Sequence, residues 1–475
     1  MYGAVPRRMP AAPVPGTGSV ESMVAGCAHM ATLERPHRVL IVGLGATGLS
    51  CARFLSARGV EIAVADTRAH PPGLDALRDT LPDVAVFLGG LDEQVLRSAD
   101  EIVLSPGVAL RTPAIAAALA RGTPVIGDIE LFARHARAPV AAVTGSNGKS
   151  TVTTLLGAMA RAAGRDVRVG GNLGTPALDL LRDGEPDLYV LELSSFQLEC
   201  TESLAPAVGL VLNLSPDHMD RYRDLDEYAA AKARILRRAQ VQVINADDPR
   251  VAVMADARRP VLRFTSGPPG ADDFGIGTVD GEEWFMHGRR ALVRAALLAL
   301  PGRHNRANAL AALAAGTALG LPVAAMADAM GRFEGLAHRT QRVGERDGVV
   351  WYNDSKGTNV GATTAALEGF DVPVVLIAGG DGKGADFAPL RAPVAAHARA
   401  VVLFGRDAPQ IEHALAGTVP LHTAADLDEV VRLAGALAQP GDVVLFSPAC
   451  ASFDMFRNYE DRGTRFMEAV RRWLR

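Results

Sequence analysis

Cysteine is scarce in this chain of 475 residues, where Cys27, Cys51, Cys200 and Cys450 stand apart without a C-x-x-C pair. That argues against a disulfide framework or a zinc site and suits a reducing compartment. A dominant charge is missing too: 49 Lys and Arg face 53 Asp and Glu, for a net charge of −4. Neither the electrostatic footprint of a nucleic-acid binder nor a polybasic membrane anchor is present, so a ligand must be recognised locally. Nor is there a convincing membrane span. Residues 309–327 carry no charged side chain, but they are mostly alanine, and Gly320-Leu321-Pro322 breaks them into two short helices. Residues 1–36 are rich in Pro, Gly, Ala and Ser, and Arg7 and Arg8 are not followed by an apolar run. This predicts a disordered tail rather than a signal peptide, with Met23 and Met30 as alternative translation starts and the cytoplasm as the location.

What is present is a chain too long for one core, 48% apolar and 21% charged, which suggests about three units. Its most informative stretch is Ala141-Ala142-Val143-Thr144-Gly145-Ser146-Asn147-Gly148-Lys149-Ser150-Thr151. An apolar strand there runs into a glycine-bearing turn that ends in Lys-Ser-Thr. Such a turn points backbone N–H groups inward, and a helix starting near Lys149 directs its positive end at an anion. Lys149 would reach terminal phosphates, and Ser150 or Thr151 would offer a hydroxyl to Mg²⁺. Val143 stands where the usual P-loop spacing has Gly, so this loop is the shorter kind.

Before it, Val39-Leu40-Ile41-Val42, Gly43-Leu44-Gly45-Ala46-Thr47-Gly48 and Glu61-Ile62-Ala63-Val64-Ala65-Asp66 read as a βαβ unit. Its glycines and Asp66 form a fingerprint for a diphosphate-linked nucleoside, which leaves NAD and other nucleotides open. Ser105-Pro106-Gly107 follows another strand, and Pro124 to Asp128 closes this unit. After the P-loop, Glu192 ends the buried strand Leu188-Tyr189-Val190-Leu191, where a carboxylate needs either a metal or a salt bridge. Another strand, 208–213, runs into Asp217-His218, and His218 there is a further metal or phosphate candidate. By pattern alone Lys232 reads as a solvated helix lysine, and Asn305 and Asn308 as an N-cap and a surface amide. A third α/β unit starts near Leu336, and its strand ends carry Asn353-Asp354-Ser355-Lys356, Gly379-Gly380-Asp381-Gly382-Lys383 and Ser447-Pro448. Basic and hydroxyl groups at such ends suit a small anionic substrate.

Eight motifs in order resemble the Mur ligases, ATP-dependent enzymes that add amino acids to a UDP-sugar precursor of bacterial peptidoglycan. They are Gly43-Leu44-Gly45-Ala46-Thr47-Gly48-Leu49-Ser50, Gly127-Asp128-Ile129-Glu130-Leu131-Phe132, residues 144–151, Leu193-Ser194-Ser195-Phe196-Gln197-Leu198-Glu199, Asp217-His218-Met219-Asp220-Arg221-Tyr222, Asn353-Asp354-Ser355-Lys356, residues 379–383, and Ser447-Pro448-Ala449-Cys450-Ala451-Ser452. The resemblance covers residues 38–475 and is nearest to members that add D-glutamate to UDP-N-acetylmuramoyl-L-alanine. It implies an α/β protein of three domains: Rossmann-like at 37–127, P-loop ATPase-like with a parallel or mixed sheet at 128–335, and Rossmann-like again at 336–475. By resemblance the first domain holds UDP, not NAD, through Thr47, Asp66, Thr67, Arg68, Ser105 and Gly107, with Asn172 and His218 completing the substrate contacts. ATP would lie on Gly145, Ser146, Asn147, Gly148, Lys149, Ser150 and Thr151, with Asn305 and Asn308 near the adenine, Arg339 on the phosphates and Asp354 on the ribose. Two Mg²⁺ would use Ser150, Glu192, His218 and Lys232. The last matches a lysine carbamylated by CO₂, and Lys149, His218 and Lys232 would be catalytic. Thr358, Lys383, Ser452 and Tyr459 match the D-glutamate pocket, Tyr459 standing where Phe is usual.

The resemblance further implies a monomer at work in cell-wall synthesis, on which cell shape and division depend, with no nucleic-acid partner and no stable membrane insertion. A Mur ligase adding a different amino acid is the nearest alternative. A nicotinamide oxidoreductase would leave the P-loop, Glu192 and His218 unused, and a P-loop switch protein would not require the anion-suited turns of the third unit.

Overall fold

The computed structural model describes residues 37–475 except Asp183 and Pro301, so the tail expected over 1–36, with Cys27, lies outside the described residues. Three sheets follow one another along the chain. The first contains β1 (Arg38–Val42), β2 (Glu61–Asp66), β3 (Ala85–Leu88), β4 (Glu101–Leu104) and β5 (Val125–Ile126) in the order β3-β2-β1-β4-β5, parallel throughout. The order reverses between β1 and β4, so the turns after Val42 and Leu104 face each other at the sheet's carboxyl edge, the crevice in which open α/β sheets hold ligands.

The second sheet has β6 (Val140–Thr144), β7 (Val167–Gly171), β8 (Leu188–Glu192), β9 (Val208–Val211), β10 (Val241–Asn245), β11 (Val261–Phe264), β12 (Phe274–Val279), β13 (Glu282–His287) and β14 (Arg290–Arg294). Its order is β14-β13-β12-β11-β10-β9-β6-β8-β7. β6, β8 and β9 are buried along their whole length, as continuous apolar runs in a parallel sheet require. Because β6 lies between β8 and β9, the P-loop, Glu192 and the segment leading to His218 emerge side by side. β12 joins β11 in parallel, and β13 and β14 extend the sheet by antiparallel pairing, so the sheet is mixed. The alanine-rich region folds as two helices, Arg303–Ala318 and Val323–Arg332, as expected; the first is buried at every residue from Ala309 to Gly316.

The third sheet has β15 (Gln341–Arg346), β16 (Val349–Asn353), β17 (Val374–Gly379), β18 (Ala398–Phe404), β19 (Leu421–Thr423) and β20 (Val443–Phe446), ordered β15-β16-β20-β17-β18-β19, with only β15 antiparallel. One apolar cluster runs from Val39, Ile41 and Val64 of the first sheet through Ile129 and Phe132 to Tyr189 and Leu191 of the second. The clusters around the third sheet contain only residues from Val343 onward. Among the described residues no helix is long and apolar enough to cross a membrane.

Candidate functional site

β6 delivers the chain into the phosphate loop, and Gly148, at φ 82°, is the N-cap of the helix Lys149–Ala162. A β-carbon at Gly148 would come within 2.3 Å of Asn308 Oδ1, so only glycine lets the loop close onto that amide. Asn305 and Asn308 are both buried on the helix Arg303–Ala318, whose N-cap is Gly302. The pattern reading of a cap and a surface amide is therefore wrong: both side chains line a cavity of about 260 Å³ with Gly148, Thr151, His304 and Asp354.

A second cavity, of about 270 Å³, shares Asn147 and Gly148 of the loop with the first and brings together Lys149, Glu192, His218 and Lys232. Glu192 is 3% exposed. Its Oε2 accepts from Ser150 Oγ at 2.5 Å and its Oε1 from Asn172 Nδ2 at 2.7 Å. Burial raises its pKa, but Lys149, Ser150, Asn172 and Arg339 outweigh burial and hold the carboxylate below its ordinary value. Lys149 Nζ donates to the carbonyls of Gly145 and Ser146, each at 2.9 Å. Its pKa is lowered by burial, with Glu192 and Asp217 acting against the shift.

Lys232 is 1% exposed, which overturns the reading of a solvated lysine. Its Nζ donates to Gly145 O at 2.8 Å and lies 4.5 Å from the centre of the Tyr228 ring. Burial and the charge of Lys149 push its pKa well below normal, favouring the neutral amine. His218 sits at φ 58°, its N–H on Asp217 Oδ1 at 3.0 Å and its ring edge-on to Phe196. Burial lowers its pKa against the pull of Asp217, so the imidazole is free to offer a lone pair.

Among the described residues no three His, Cys, Asp or Glu side chains gather at metal-holding spacing. Glu192 and His218 do share a cavity wall with Lys232, and Ser150 reaches them through its bond to Glu192; Lys232 would become an oxygen ligand only if carbamylated.

The third unit reaches into the same place. Arg339 donates to Ser150 Oγ at 2.7 Å, and Thr358 and Lys356 line the second cavity. Asp354 Oδ2 accepts from Ser447 Oγ at 2.7 Å and Oδ1 from Thr340 N at 3.1 Å; burial raises its pKa to about 6. Of the other residues matched to a glutamate pocket, Lys383 is exposed at φ 50°, Ser452 is buried, and neither lines the two cavities. Tyr459 likewise lines neither, but its ring lies 3.7 Å from Lys356 Nζ.

Lys356, inside a motif but given no role from sequence, lines both cavities, and burial brings its pKa down to about 8. Asn359 and Asp217 were missed as partners. The signal is faint, since 142 positions separate two residues whose side chains meet.

In the first unit, Asp66 spends its carboxylate inside the protein. Oδ2 accepts from Leu44 N at 2.7 Å and both oxygens accept from the Arg68 guanidinium, which holds the pKa at about 2. Ser105 Oγ donates to Gly43 O at 2.7 Å, tying the two turns of the crevice together. Thr47 is half-buried, and Thr67, Arg68 and Gly107 are exposed. None of these six lines either cavity; they form a separate group at the ends of β1, β2 and β4.

The chain matches the Mur ligase MurD-like N-terminal domain over residues 37–127, the Mur ligase middle domain over 143–316 and the Mur ligase glutamate ligase domain over 338–450. The UDP-N-acetylmuramoylalanine--D-glutamate ligase of Nitrosococcus oceani is 58% identical over 437 residues, covering 92% of this chain and 96% of that protein. The enzyme of the same name from Marinobacter nauticus is 55% identical over 445 residues, covering 93% and 99%. Among solved structures, a UDP-N-acetylmuramate-alanine ligase of Thermotoga maritima aligns with a TM-score of 0.58 at 19% identity, over 92% of this chain and 99% of that one. That last likeness concerns the fold.

Proposed function

The chain belongs to the Mur ligase family, and from that premise we propose that it joins D-glutamate to UDP-N-acetylmuramoyl-L-alanine with ATP, in peptidoglycan precursor synthesis. The observation that carries this reading is the meeting, in one cavity, of Lys149, Glu192, His218 and Lys232 with Arg339, Lys356 and Thr358 of the third unit. A carboxylate does not condense with an amine in water. The substrate carboxylate oxygen first takes the γ-phosphoryl group and ADP leaves; the amine nitrogen of D-glutamate then attacks the acyl carbon, expels phosphate and loses its proton.

In this reading Gly145 to Thr151 cradle the phosphates, Lys149 and Arg339 neutralise them, Asn305 and Asn308 flank the adenine, and Asp354 meets the ribose. Ser150, Glu192, His218 and a carbamylated Lys232 would hold two Mg²⁺, which would supply charge neutralisation. A neutral amine is the form that adds to CO₂, and burial of Lys232 beside Lys149 favours that form. Thr47, Asp66, Thr67, Arg68, Ser105, Gly107, Asn172 and His218 take the UDP substrate, and Thr358, Lys383, Ser452 and Tyr459 take D-glutamate. We assign these tasks to domains at 37–127, 128–335 and 336–475 of a monomer in the cytoplasm.

The test is phosphate release with ATP, Mg²⁺ and UDP-N-acetylmuramoyl-L-alanine, comparing D-glutamate with L-glutamate, L-alanine and meso-diaminopimelate. Release that requires D-glutamate, with a product heavier by one glutamyl residue, is the expected result. Turnover with another amino acid instead would move the specificity within the family, and silence with all four would overturn the reading.

A further inference from the structure

We infer that Asn359 is a positioning residue that transmits the placement of the third unit to the phosphate loop and to Asp217. The inference rests on the ligase reading above and adds to it a residue with no assigned part. Asn359 stands at the N-cap of the helix Val360–Leu367 and is 9% exposed. Its side-chain oxygen accepts from Ala362 N at 2.8 Å, which satisfies the cap. Its nitrogen donates to Asp217 Oδ2 at 3.1 Å and to Asn147 Oδ1 at 3.3 Å, both belonging to the second unit.

A cap alone is met equally well by Ser or Asp, but neither offers this donor: Ser is too short and a carboxylate has no hydrogen to give. The recipients matter because of what they hold. Asn147 sits inside the phosphate loop, its backbone N–H on Asn213 Oδ1 at 2.8 Å. Asp217 uses its other oxygen to fix the N–H of His218, which adopts a positive φ uncommon outside glycine. Thus one amide bears on both the phosphate cradle and the imidazole.

A second observation comes from the same helix. Gly361 lets its first turn lie so close to the second unit that an added β-carbon would stand 2.7 Å from Ser215 Oγ and 2.9 Å from Ser215 Cβ. Gly361 is helical and not at positive φ, so alanine there suits the backbone and the obstacle is the neighbour alone.

The experiment compares N359S, N359D and G361A with the wild type, and N359D with N359D/D217N. N359S keeps the cap and loses the bridge, and its kcat is expected to fall by about tenfold or more, as small displacements in a positioned site do. G361A is expected to lose kcat similarly without a lower melting temperature, a split that a purely structural glycine would not produce. N359D sets two carboxylates against each other. Adding D217N restores a donor between the pair, now reversed in direction, and should recover at least about tenfold of the kcat lost by N359D.

Wild-type kcat in N359S and G361A, or no recovery in the double variant, would overturn the inference. Amide hydrogen exchange supplies an arm independent of the amino acid used: N359S should exchange faster over residues 145–149 and 213–218, and unchanged protection there would also overturn it. Wild-type silence with D-glutamate would instead count against the ligase reading and leave the exchange result to decide the role of Asn359.

Discussion

The two seams of this molecule differ in what dominates them: polar bonds such as Ser50 Oγ to Asp179 Oδ1 at 2.9 Å cross the first as well, but an apolar core carries it. Between the first and second sheets the seam is apolar and continuous, with Phe132 fully buried and edge-on to Tyr189 at 5.0 Å between ring centres. Between the second unit and the third, the bonds described are polar and single: Arg339 to Ser150, Asn359 to Asn147 and Asp217, and His304 Nδ1 to Ala365 O at 3.0 Å. Apolar burial resists any displacement because its energy scales with contact area, whereas a few hydrogen bonds can be exchanged for water at modest net cost. By this contrast the first unit is held to the second over a broad apolar area, and the third mainly through a few directed bonds.

The comparison can be sharpened by variants chosen for one seam, the other, or neither. Lys149→Ala touches neither, and it is expected to lower kcat by about 10³-fold or more while the unfolding midpoint stays put, since a phosphate-neutralising cation is lost without a packing defect. Measurable turnover near wild type would remove the loop from the mechanism. Phe132→Ala attacks the apolar seam and should cost about 3–5 kcal/mol in denaturant unfolding, with any activity loss following from unfolding.

Acid should separate the seams by sign. Burial lowers the pKa of His304 from 6.5 to about 4, so the unfolded chain takes the proton first and stability drains away as pH falls from 6.5 toward 4. Burial raises the pKa of Asp128, whose Oδ2 accepts from Gln197 Nε2 at 2.9 Å on the apolar side, from 3.8 to about 6. That carboxyl costs stability when charged and returns it as pH falls from 6 toward 3.8. Going from pH 7 to pH 5, H304Q should therefore gain about 2 kcal/mol relative to wild type and D128N should lose about 1 kcal/mol, read by denaturant titration at each pH. Parallel pH dependence in all three proteins would erase the distinction. The smallest stability effect is expected for Arg339→Lys, which should shift unfolding by less than about 1 kcal/mol yet cut kcat at least about tenfold, because a lysine does not reproduce the reach of the guanidinium to Ser150.

Much of the strand-end chemistry was legible because short-range rules govern it. An apolar run, a glycine turn and a helix start fix where a phosphate loop lies, and the helix begins at Lys149 as read. Lys232 escaped the pattern because its neighbours are alanines, which give a helix no distinct apolar face; only the approach of Gly145 O shows why the lysine is inside. The pairing of Asn359 with Asp217 joins residues far apart in sequence and cannot be read from local propensity. The hairpin within the mixed sheet has a short-range signal: Asp280-Gly281 is a two-residue turn, both residues have positive φ, and Val279 pairs with Glu282 across it. In the first unit, the nucleotide fingerprint correctly located Asp66 at a strand end, but its carboxylate braces the glycine turn and Arg68.

The shared apolar core also sets an order of events during synthesis. The first sheet is complete once Ile126 has been made, yet part of the cover for its inner face, Tyr189 and Leu191, arrives more than 60 residues later. At translation speeds of roughly 5–20 residues per second, a nascent chain carries that apolar face without this part of its cover for several seconds.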